Sequence, residues 1–516
     1  MSPNTRKLAW LFVLPCVLVA LSFTLQGRKD FNLWDEGFFW YGAQRVLAGD
    51  VPIRDFFAYD PTRYYWAAAV MGLLGDNGVV SLRLGAALAQ VIGLFLALNL
   101  ISPFRKPHRH ADLLLLLAST VVLMLWMYVY YKVYDVVAAL VLLTVLAWWL
   151  EKPSVQRFFV LGIGVGFVAT IGRNHGVYGL VGCAGAIACG NFPRQGVVDW
   201  LAALVVLGTG IAIGFAPVWV AMLVVDGYAA AFLESVYYLF EIQATNIPLP
   251  VPWPWSPNLL TLSPGLAVHG FFAGLCFVAL LAFPVVSIPW ILVSKFKDKP
   301  VQPAFVAAAV LAVPYAHYAF SRADVPHLSF AIFPLLMGCL LAAQQLQPTF
   351  KWLLLAALVF ISGLLMLPLQ PAGKCLIVHR CVDVNVAGDV IRLPEKKAAE
   401  VRIVQRLVAD HVPAGGGMLV TPSWPGAYPL VGQKSPVYDI YTLLKRSDSF
   451  QHKEIARLAE AKPSLVVVVE EPLDGGESHF LRNTSPLVYA YVLKHFVEVP
   501  VVGFPTVKAY RSKSPD

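Results

Sequence analysis

Charged side chains are scarce in this chain of 516 residues. Only 14% of the residues are charged and 58% are hydrophobic. Soluble globular domains carry about 25% charged and about 45–50% apolar residues. A shortage of charge this large argues against a soluble protein and indicates a membrane protein with many spans.

Several binding signatures are also missing. The formal net charge is +8, but the basic residues fall in short loops between apolar runs, so no nucleic-acid partner is expected. The seven cysteines include no CxxC pair and no metal-ligand spacing, and no metal ligands are predicted. Five of them lie in apolar runs as small core residues. Cys375 and Cys381 follow the last run and form either a disulfide, if their compartment is oxidising, or two free thiols.

Long apolar runs dominate the first 370 residues. Because a membrane-spanning helix needs about 20 apolar residues, eleven spans are predicted. They lie near residues 8–25, 81–101, 111–129, 133–150, 158–172, 177–191, 199–224, 266–293, 303–320, 328–346 and 352–369. The first run is longer than a typical signal-peptide core and no clear A-x-A site follows it, so it is predicted to be a retained anchor.

The basic loop residues indicate an orientation. With a cytoplasmic N-terminus, every short basic cluster falls on the inner side, as the positive-inside rule expects. The clusters are Arg6 and Lys7; Arg105, Lys106 and Arg109; Lys152 and Arg157; Arg194; Lys295, Lys297 and Lys299; and Lys351. An odd number of spans then places the C-terminal segment outside.

A second set of polar residues lies at the outer ends of apolar runs in this orientation. They are Lys132, Arg173 and His175 in GRNHG, and Arg322, Asp324 and His327 in SRADVPH. A charge in this position is costly without a partner or a function. These residues are therefore either functional groups that share one face with the first outer loop, or structural ion pairs, for example Arg173 or Arg322 with Asp55.

The first outer loop, residues 26–80, concentrates acidic and aromatic side chains. Its segment from Asp30 to Trp66 contains six acids, among them Asp35, Glu36 and Asp55. Apolar residues at helical spacing predict an amphipathic interfacial helix over Gly37–Leu47 and a second over residues 64–75. A later proline-rich loop, residues 246–258, is either a lid over a lipid-linked substrate or part of an aromatic belt.

From residue 371 the composition becomes that of a soluble protein. Helices over residues 394–411 and 449–461 alternate with strands over residues 418–421 and 465–469, which predicts a small α/β domain. The segment shows no catalytic constellation, so acceptor recognition or a structural cap are its candidate roles. The predicted fold class is an α-helical membrane protein, residues 1–370, followed by an external α/β domain, residues 371–516.

Carboxylates and cations at one membrane face suit transfer of a group from a lipid phosphate. A carboxylate within hydrogen-bond reach takes the proton from an acceptor hydroxyl. Arginine and histidine hold the phosphate and stabilise the charge that develops on it. No soluble nucleotide domain is needed for such a donor, and the sequence shows none.

These residues resemble a known superfamily. Asp35-Glu36 after the first span is similar to the glycosyltransferases of the GT-C superfamily, which include the protein O-mannosyltransferases and the bacterial aminoarabinose transferases. The likeness continues through Gly49-Asp50-x-Pro52, Tyr59-Asp60-Pro61, Tyr65-Trp66, Gly75 and Arg83. Arg173 to His175 and Arg322 to His327 resemble motifs of bacterial members, and the succession of spans and external domain matches over the whole chain.

The resemblance implies Asp35 as general base, inversion at the anomeric carbon and a polyprenyl-phosphate sugar as donor. Glu36 would position donor or acceptor and Asp55 would be a second acid. The aminoarabinose transferases have a lysine just before the proline where this chain has Asp60, so the sugar need not be aminoarabinose and other groups must contact the phosphate. The candidates for donor and substrate binding are Arg54, Tyr59, Arg63, Arg173, His175, Arg322, Asp324 and His327.

The same resemblance extends to cofactor, partners and compartment. Some members of the superfamily use a divalent cation and others do not, and no cofactor is assigned. The acceptor would be a glycan, a lipid or a protein. The membrane would be a bacterial inner membrane, with the active site and the C-terminal domain in the periplasm.

Other interpretations of the sequence remain. Asp35 could be a solvated loop acid or the N-cap of the helix that follows it. The whole chain could be a transporter or flippase, although no internal repeat is seen and the charges lie at one face rather than at mid-span. It could also be a non-catalytic scaffold whose external domain binds a partner.

Overall fold

The computed structural model describes the chain except residues 1–2, 103–109, 190–196, 243–245, 379 and 514–516. Four basic residues used in the orientation argument, Arg105, Lys106, Arg109 and Arg194, lie outside the described residues. The helices up to residue 373 are α1 Pro3–Gln26, α2 Asp35–Leu47, α3 Thr62–Leu74, α4 Val79–Ile101, α5 His110–Trp126, α6 Val133–Glu151, α7 Val155–Ile171, α8 Arg173–Cys189, α9 Val197–Gly214, α10 Ala216–Val224, α11 Tyr228–Ile242, α12 Pro264–Phe296, α13 Pro303–Ser321, α14 Val325–Ala331, α15 Phe333–Ala343, α16 Pro348–Met366 and the single turn α17 Pro371–Gly373.

Each of the eleven predicted spans coincides with one of these helices or with a bent pair of them. Among the described residues, five helical segments are long and apolar enough to cross a membrane: α4, Tyr130–Glu151, α12, α13 and α16. The pairs α9–α10 and α14–α15 bend by 59° and 58° and raise the number to seven if each pair is one span. The count of eleven stays a prediction.

The chain divides into two compact units. The first contains residues 1–25, 86–225 and 245–373, and it is helical throughout its described elements. Its helices approach closely where their residues are small. Gly166 of α7 faces α9, where a Cβ would lie only 2.1 Å from the Ile211 carbonyl oxygen. Most of the alanine-rich helix α13 is buried against its neighbours. Small residues allow such contact between helix backbones in a membrane protein.

The second unit joins the first outer loop to the C-terminal segment. It contains residues 26–85, 226–244 and 374–516. Its later helices are α18 Glu395–His411, α19 Ala427–Leu430, α20 Asp448–Ala461, α21 Leu481–Thr484 and α22 Pro486–His495. Its strands are β1 Cys381–Val386, β2 Asp389–Pro394, β3 Met418–Thr421, β4 Leu465–Val469, β5 Phe496–Val499 and β6 Val507–Ser512.

The strands form two sheets. Strands β1 and β2 make an antiparallel hairpin, and the other four have the order β3-β4-β6-β5. Only β3 and β4 are parallel within this sheet. All five residues of β4, LVVVV, are buried, which is typical of a strand covered on both faces. The two strands and two helices predicted in this segment are present, with α18 beginning at Glu395 after an N-cap at Pro394.

The first outer loop also has its two predicted helices. Helix α2 extends over Asp35–Leu47 and buries the segment from Glu36 to Ala43. Helix α3 extends over Thr62–Leu74 and ends at Gly75, whose left-handed backbone stops it. Gly37 of α2 lies against Gly426, where a Cβ would come within 2.5 Å of the Gly426 Cα atom. The loop is therefore an integral part of the second unit, and its placement at a membrane surface stays a prediction.

Of the two alternatives for Cys375 and Cys381, the structure has the disulfide. It ties the segment after α17 to the start of β1.

Candidate active site

The first turn of α2 places Asp35 at a helix N-terminus. Trp34, not Asp35, holds the N-cap position. Asn32 accepts two hydrogen bonds from the first turn. Its side-chain oxygen accepts from the Glu36 amide at 3.3 Å, and its carbonyl oxygen accepts from the Gly37 amide at 3.1 Å. A carboxylate here is favoured by the helix dipole. Asp35 is not the N-cap that the alternative interpretation required.

Asp35 is partly exposed and receives a hydrogen bond from the C-terminal segment. The Tyr441 hydroxyl donates to Asp35 Oδ1 over 2.9 Å. Tyr441 is buried, with 8% of its surface exposed, and its ring lies 5.4 Å from that of Phe38 and 6.4 Å from that of Trp34. One oxygen of the Asp35 carboxylate is therefore hydrogen-bonded to Tyr441, while the side chain stays partly exposed.

Glu36 is in a different environment although it is the next residue. Arg83 at the start of α4 binds it in a bidentate ion pair, with Nε–Oε1 at 2.7 Å and Nη2–Oε2 at 2.8 Å. Both side chains are buried, and Arg83 also donates to the carbonyl oxygens of Gly27, Lys29 and Asp30. This pair fastens the beginning of the first outer loop to α4. The contacts of Glu36 are those of a structural residue, and its predicted catalytic role stays a prediction.

Asp55 closes a tight turn with its neighbours. It accepts from Arg54 Nε at 2.9 Å and Nη2 at 2.8 Å, and from the Val51 amide at 2.7 Å. Burial alone would raise the pKa of Asp55, but the hydrogen bonds from Arg54 and Val51 outweigh it and hold that pKa below its usual value. Asp55 is therefore charged at neutral pH and paired with Arg54, the first of the predicted phosphate-binding residues.

Tyr59 and Arg63 lie near the first turn of α2. The Arg63 guanidinium stands 5.1 Å above the Tyr59 ring, in cation–π contact, and that ring is 5.0 Å from the ring of Phe38. The Tyr59 amide donates to the Tyr64 hydroxyl over 3.1 Å. Phe38 touches both Tyr59 and Tyr441, so this aromatic group links Arg63 to the surroundings of Asp35.

The other predicted residues belong to the first unit, where His175 has a partner that the sequence analysis missed. His175 Nε2 lies 2.9 Å from Asp135 Oδ1, and its Nδ1 lies 2.8 Å from the Tyr315 hydroxyl. Tyr318 and Lys132 approach the other oxygen of Asp135 at 3.4 and 3.7 Å. His175 and Asp135 are almost completely buried. The sequence could have identified Asp135 as a candidate, because it is a single acid in the first turn of an apolar run.

Arg322, Asp324 and His327 form a second group in the first unit. Asp324 accepts from Arg322 Nε at 2.8 Å and lies 2.7 Å from His327 Nδ1. Arg322 also donates to the Ile247 carbonyl at 3.0 Å, and His327 Nε2 lies 2.9 Å from the Asn246 side chain. These three predicted residues are therefore brought together and are anchored to the loop that precedes α12.

Arg173 begins α8 and is partly buried. It lies two residues before His175 in the same first turn. Among the described residues, no group of three or more His, Cys, Asp or Glu side chains is placed to hold a metal ion. The predicted residues thus fall into two sets, one in each unit.

The chain therefore combines a helical unit that contains most of the apolar helices with a second unit that joins the first-loop Asp35 to an α/β segment. No protein-family model matches the chain, and no curated protein matches it by sequence. The comparison with solved structures is informative. ArnT from Cupriavidus metallidurans bound to undecaprenyl phosphate matches over 98% of both chains, with a TM-score of 0.57 at 12% identity. The apo state of the same protein matches over the same shares, with a TM-score of 0.54 at 10% identity.

A third match is weaker. The archaeal oligosaccharyltransferase AglB from Archaeoglobus fulgidus, in complex with an inhibitory peptide and a dolichol-phosphate, is 10% identical, with a TM-score of 0.47 over 99% of this chain and 75% of that one. The resemblance to the GT-C glycosyltransferases predicted from Asp35-Glu36 is confirmed at the level of the fold. At these identities the likeness shows the fold alone, so the reaction has to be argued from the residues.

Proposed function

We propose that this protein is a membrane glycosyltransferase that moves a sugar from a polyprenyl-phosphate donor to a hydroxyl of an extracytoplasmic acceptor. The observation that carries the proposal is the environment of Asp35. It is a partly exposed carboxylate at a helix N-terminus, held through Oδ1 by Tyr441, in a chain whose fold is that of ArnT. Glu36 and Asp55, the other candidate acids, are each fully engaged by an arginine.

In the proposed reaction Asp35 takes the proton of the acceptor hydroxyl. The acceptor oxygen forms a bond to the anomeric carbon from the face opposite the phosphate. The bond between that carbon and the phosphate oxygen breaks, and polyprenyl phosphate leaves with the electron pair. The configuration at the anomeric carbon is inverted because one displacement occurs. A positioned base of this kind contributes about 10²- to 10⁴-fold to the rate.

The leaving phosphate needs cations because negative charge develops on it. Guanidinium groups match phosphate oxygens in bidentate geometry, and Arg54 and Arg63, which belong to the same unit as Asp35, are the proposed contacts. Tyr59, in the same unit, is proposed to bind the rest of the substrate. The predicted substrate-binding roles of Arg173, His175, Arg322, Asp324 and His327, which belong to the first unit, stay predictions. The acceptor would be a glycan, a lipid or a protein, and whether a divalent cation takes part is left to a chelation test.

The proposed location is a bacterial inner membrane with the second unit in the periplasm. Two observations support this. The long apolar helices are consistent with an integral membrane protein, and the Cys375–Cys381 disulfide suits an oxidising compartment.

The test is sugar transfer in nanodiscs with a panel of polyprenyl-phosphate sugars and a crude envelope extract as acceptor source. Released polyprenyl phosphate is the readout. Asp35→Asn should lower turnover at least 100-fold, about the contribution of a general base. Asp76→Asn is the matched control, since Asp76 is an exposed acid of the same loop, and it should leave turnover unchanged. If transfer persisted in Asp35→Asn, Asp35 would not be the general base. If the wild type transferred no sugar, the interpretations of the chain as a transporter or as a non-catalytic scaffold would be favoured.

A further inference from the structure

We infer that Tyr441, on the C-terminal segment, is a positioning residue for the Asp35 carboxylate. This inference rests on the proposed function and deepens it, because it gives the C-terminal segment a part in the chemistry. The contact joins residues 406 positions apart within one compact unit, with the Tyr441 hydroxyl donating to Asp35 Oδ1 over 2.9 Å. A donor to a carboxylate both fixes its rotation and favours its charged form.

The ring of Tyr441 is held against the turn that carries Asp35. It packs on Phe38, one helical turn after Asp35, and on Trp34, the residue immediately before it. Aromatic contacts at these centroid distances add to the area that the rings bury. The phenol ring therefore lies over the first turn of α2, and its hydroxyl is close enough to donate a hydrogen bond to the Asp35 carboxylate.

The loop that carries Tyr441 is held by hydrogen bonds between buried polar groups. The Tyr441 amide lies 3.4 Å from Asp439 Oδ1, and Arg446 Nε donates to Asp439 Oδ2 over 2.5 Å. The Asp439 amide donates to Glu454 Oε2 of α20 over 3.0 Å. Asp439, Arg446 and Glu454 are all buried. A satisfied buried network restricts a loop to one conformation, so the hydroxyl of Tyr441 is oriented before any substrate binds.

Arg446 also makes cation–π contacts with two other parts of the second unit. Its guanidinium lies 3.9 Å from the ring centroid of Tyr238 on α11 and 5.0 Å from that of Phe57 in the first outer loop. On the same segment, the Gly426 amide donates to the Leu33 carbonyl over 2.9 Å, two residues before Asp35. The C-terminal segment thus contacts the chain on both sides of Asp35, and Tyr441 is the member that reaches the carboxylate.

The experiment compares Tyr441→Phe with Tyr438→Phe in the transfer assay. Each variant keeps the aromatic ring and loses one hydroxyl. Tyr438 is the matched control because its hydroxyl donates to the Ile53 carbonyl, over 2.7 Å, and not to a carboxylate. Tyr441→Phe should lower kcat about 10- to 100-fold, the size of a lost hydrogen bond to a charged group, with the donor KM within about 2-fold of the wild type. Tyr438→Phe should leave kcat within about 2-fold.

A pH profile separates positioning from a merely structural role. Without the phenol donor the charged carboxylate is less favoured, so the acid limb of the rate profile should move to higher pH in Tyr441→Phe. Incorporation of 3-fluorotyrosine at position 441 keeps the ring and makes the phenol a stronger donor, and it should move the acid limb to lower pH. This second variant also serves if Tyr441→Phe fails to fold.

The outcomes distinguish the two proposals. An active wild type, an inactive Asp35→Asn and a Tyr441→Phe that behaves like Tyr438→Phe would overturn the positioning role and leave the proposed function intact. A wild type inactive with every donor would overturn both. A double variant Asp35→Asn/Tyr441→Phe with the same residual rate as Asp35→Asn supports the inference, because Tyr441 then acts only through Asp35. An additive loss in the double variant would overturn it.

Discussion

Arg83 binds Glu36 through both of its oxygens, with both side chains buried, at the point where the first outer loop meets α4. Two acids that are adjacent in sequence, Asp35 and Glu36, therefore have opposite surroundings. The helical rotation of about 100° per residue turns Glu36 into the protein and leaves Asp35 partly exposed. This difference supports Asp35 as the reactive carboxylate and Glu36 as a structural one.

The ion pair makes a prediction about stability. Glu36→Gln removes one charge and leaves the Arg83 cation buried without its carboxylate, which should cost about 3–5 kcal/mol. The melting temperature of the detergent-solubilised protein is the measurement. Glu477→Gln is the control, because its ion pair with Arg482 is exposed and is worth at most about 1 kcal/mol. A Glu36→Gln protein with normal stability but no turnover would assign Glu36 to the substrate instead.

A close approach of two glycines predicts a second effect. Gly37→Ala places a methyl group 2.5 Å from the Gly426 Cα atom, so α2 and the Gly426 segment must move apart. We expect a loss of about 1–3 kcal/mol from this overpacking, and a lower transfer rate because Asp35 moves relative to Tyr441. Gly72→Ala in α3 is the control, since the new methyl group meets only the flexible end of Leu47 at 3.3 Å. Equal stability of the two variants would contradict this packing.

The disulfide makes a prediction about thiol counts. The chain has seven cysteines, and five of them are free in the structure. Protein purified without reductant, denatured and treated with maleimide should therefore gain five labels, and reduction before labelling should expose all seven. Mass spectrometry gives the count. Seven labels without reduction would show that Cys375 and Cys381 are thiols in the cell and would argue against the periplasmic placement.

Glu400 of α18 predicts a pH dependence of stability. Burial, together with the negative charge of Glu471, raises its pKa from the ordinary 4.5 to about 7, although Lys396 and Lys397 oppose the shift. Below about pH 4.5 the group is protonated in both the folded and unfolded protein and costs nothing. As the pH rises from there through 7, ionising the buried carboxyl in the folded state becomes unfavourable, and up to about 3 kcal/mol of stability is lost.

Glu400→Gln should remove this dependence. Its melting temperature should exceed that of the wild type at pH 8 and approach it at pH 5, because glutamine does not ionise. Glu395→Gln is the control, since Glu395 is exposed in the same helix and its interaction with Arg380 is at the surface. If the stabilities of the wild type and of Glu400→Gln changed in parallel with pH, that result would contradict the raised pKa of Glu400.

Local patterns in the sequence predicted much of the architecture. The apolar runs predicted helices at the right places because a membrane-spanning helix satisfies all of its backbone hydrogen bonds internally and needs only length and hydrophobicity. The strands over residues 418–421 and 465–469 and the helices α18 and α20 were also recognised from local composition. The hairpin β1–β2 and the strands β5 and β6 were not, although the sequence CVDVNV of β1 alternates apolar and polar residues, as a half-buried strand does.

The candidate site residues also divide into those that the sequence indicated and those that only the structure revealed. Asp35 was predicted as a candidate from its position after the first apolar run, and Arg322, Asp324 and His327 from their charge at the end of an apolar run; their roles stay predictions. Asp135 could have been recognised by the same argument and was missed. Tyr441 had no local signal, because a tyrosine in a soluble loop is ordinary until the chain folds and brings it to the carboxylate.

The sequence by itself determined that this chain has apolar runs of membrane-spanning length and that the candidate acid Asp35 lies just after the first of them. Both properties depend on composition along one stretch of chain. Only the tertiary structure decided that Glu36 is occupied by Arg83, that Asp35 is held by Tyr441, and that the first outer loop packs with the C-terminal segment in one unit. The physical reason is that partners far apart in sequence are selected by packing and hydrogen-bond geometry, which no local pattern encodes.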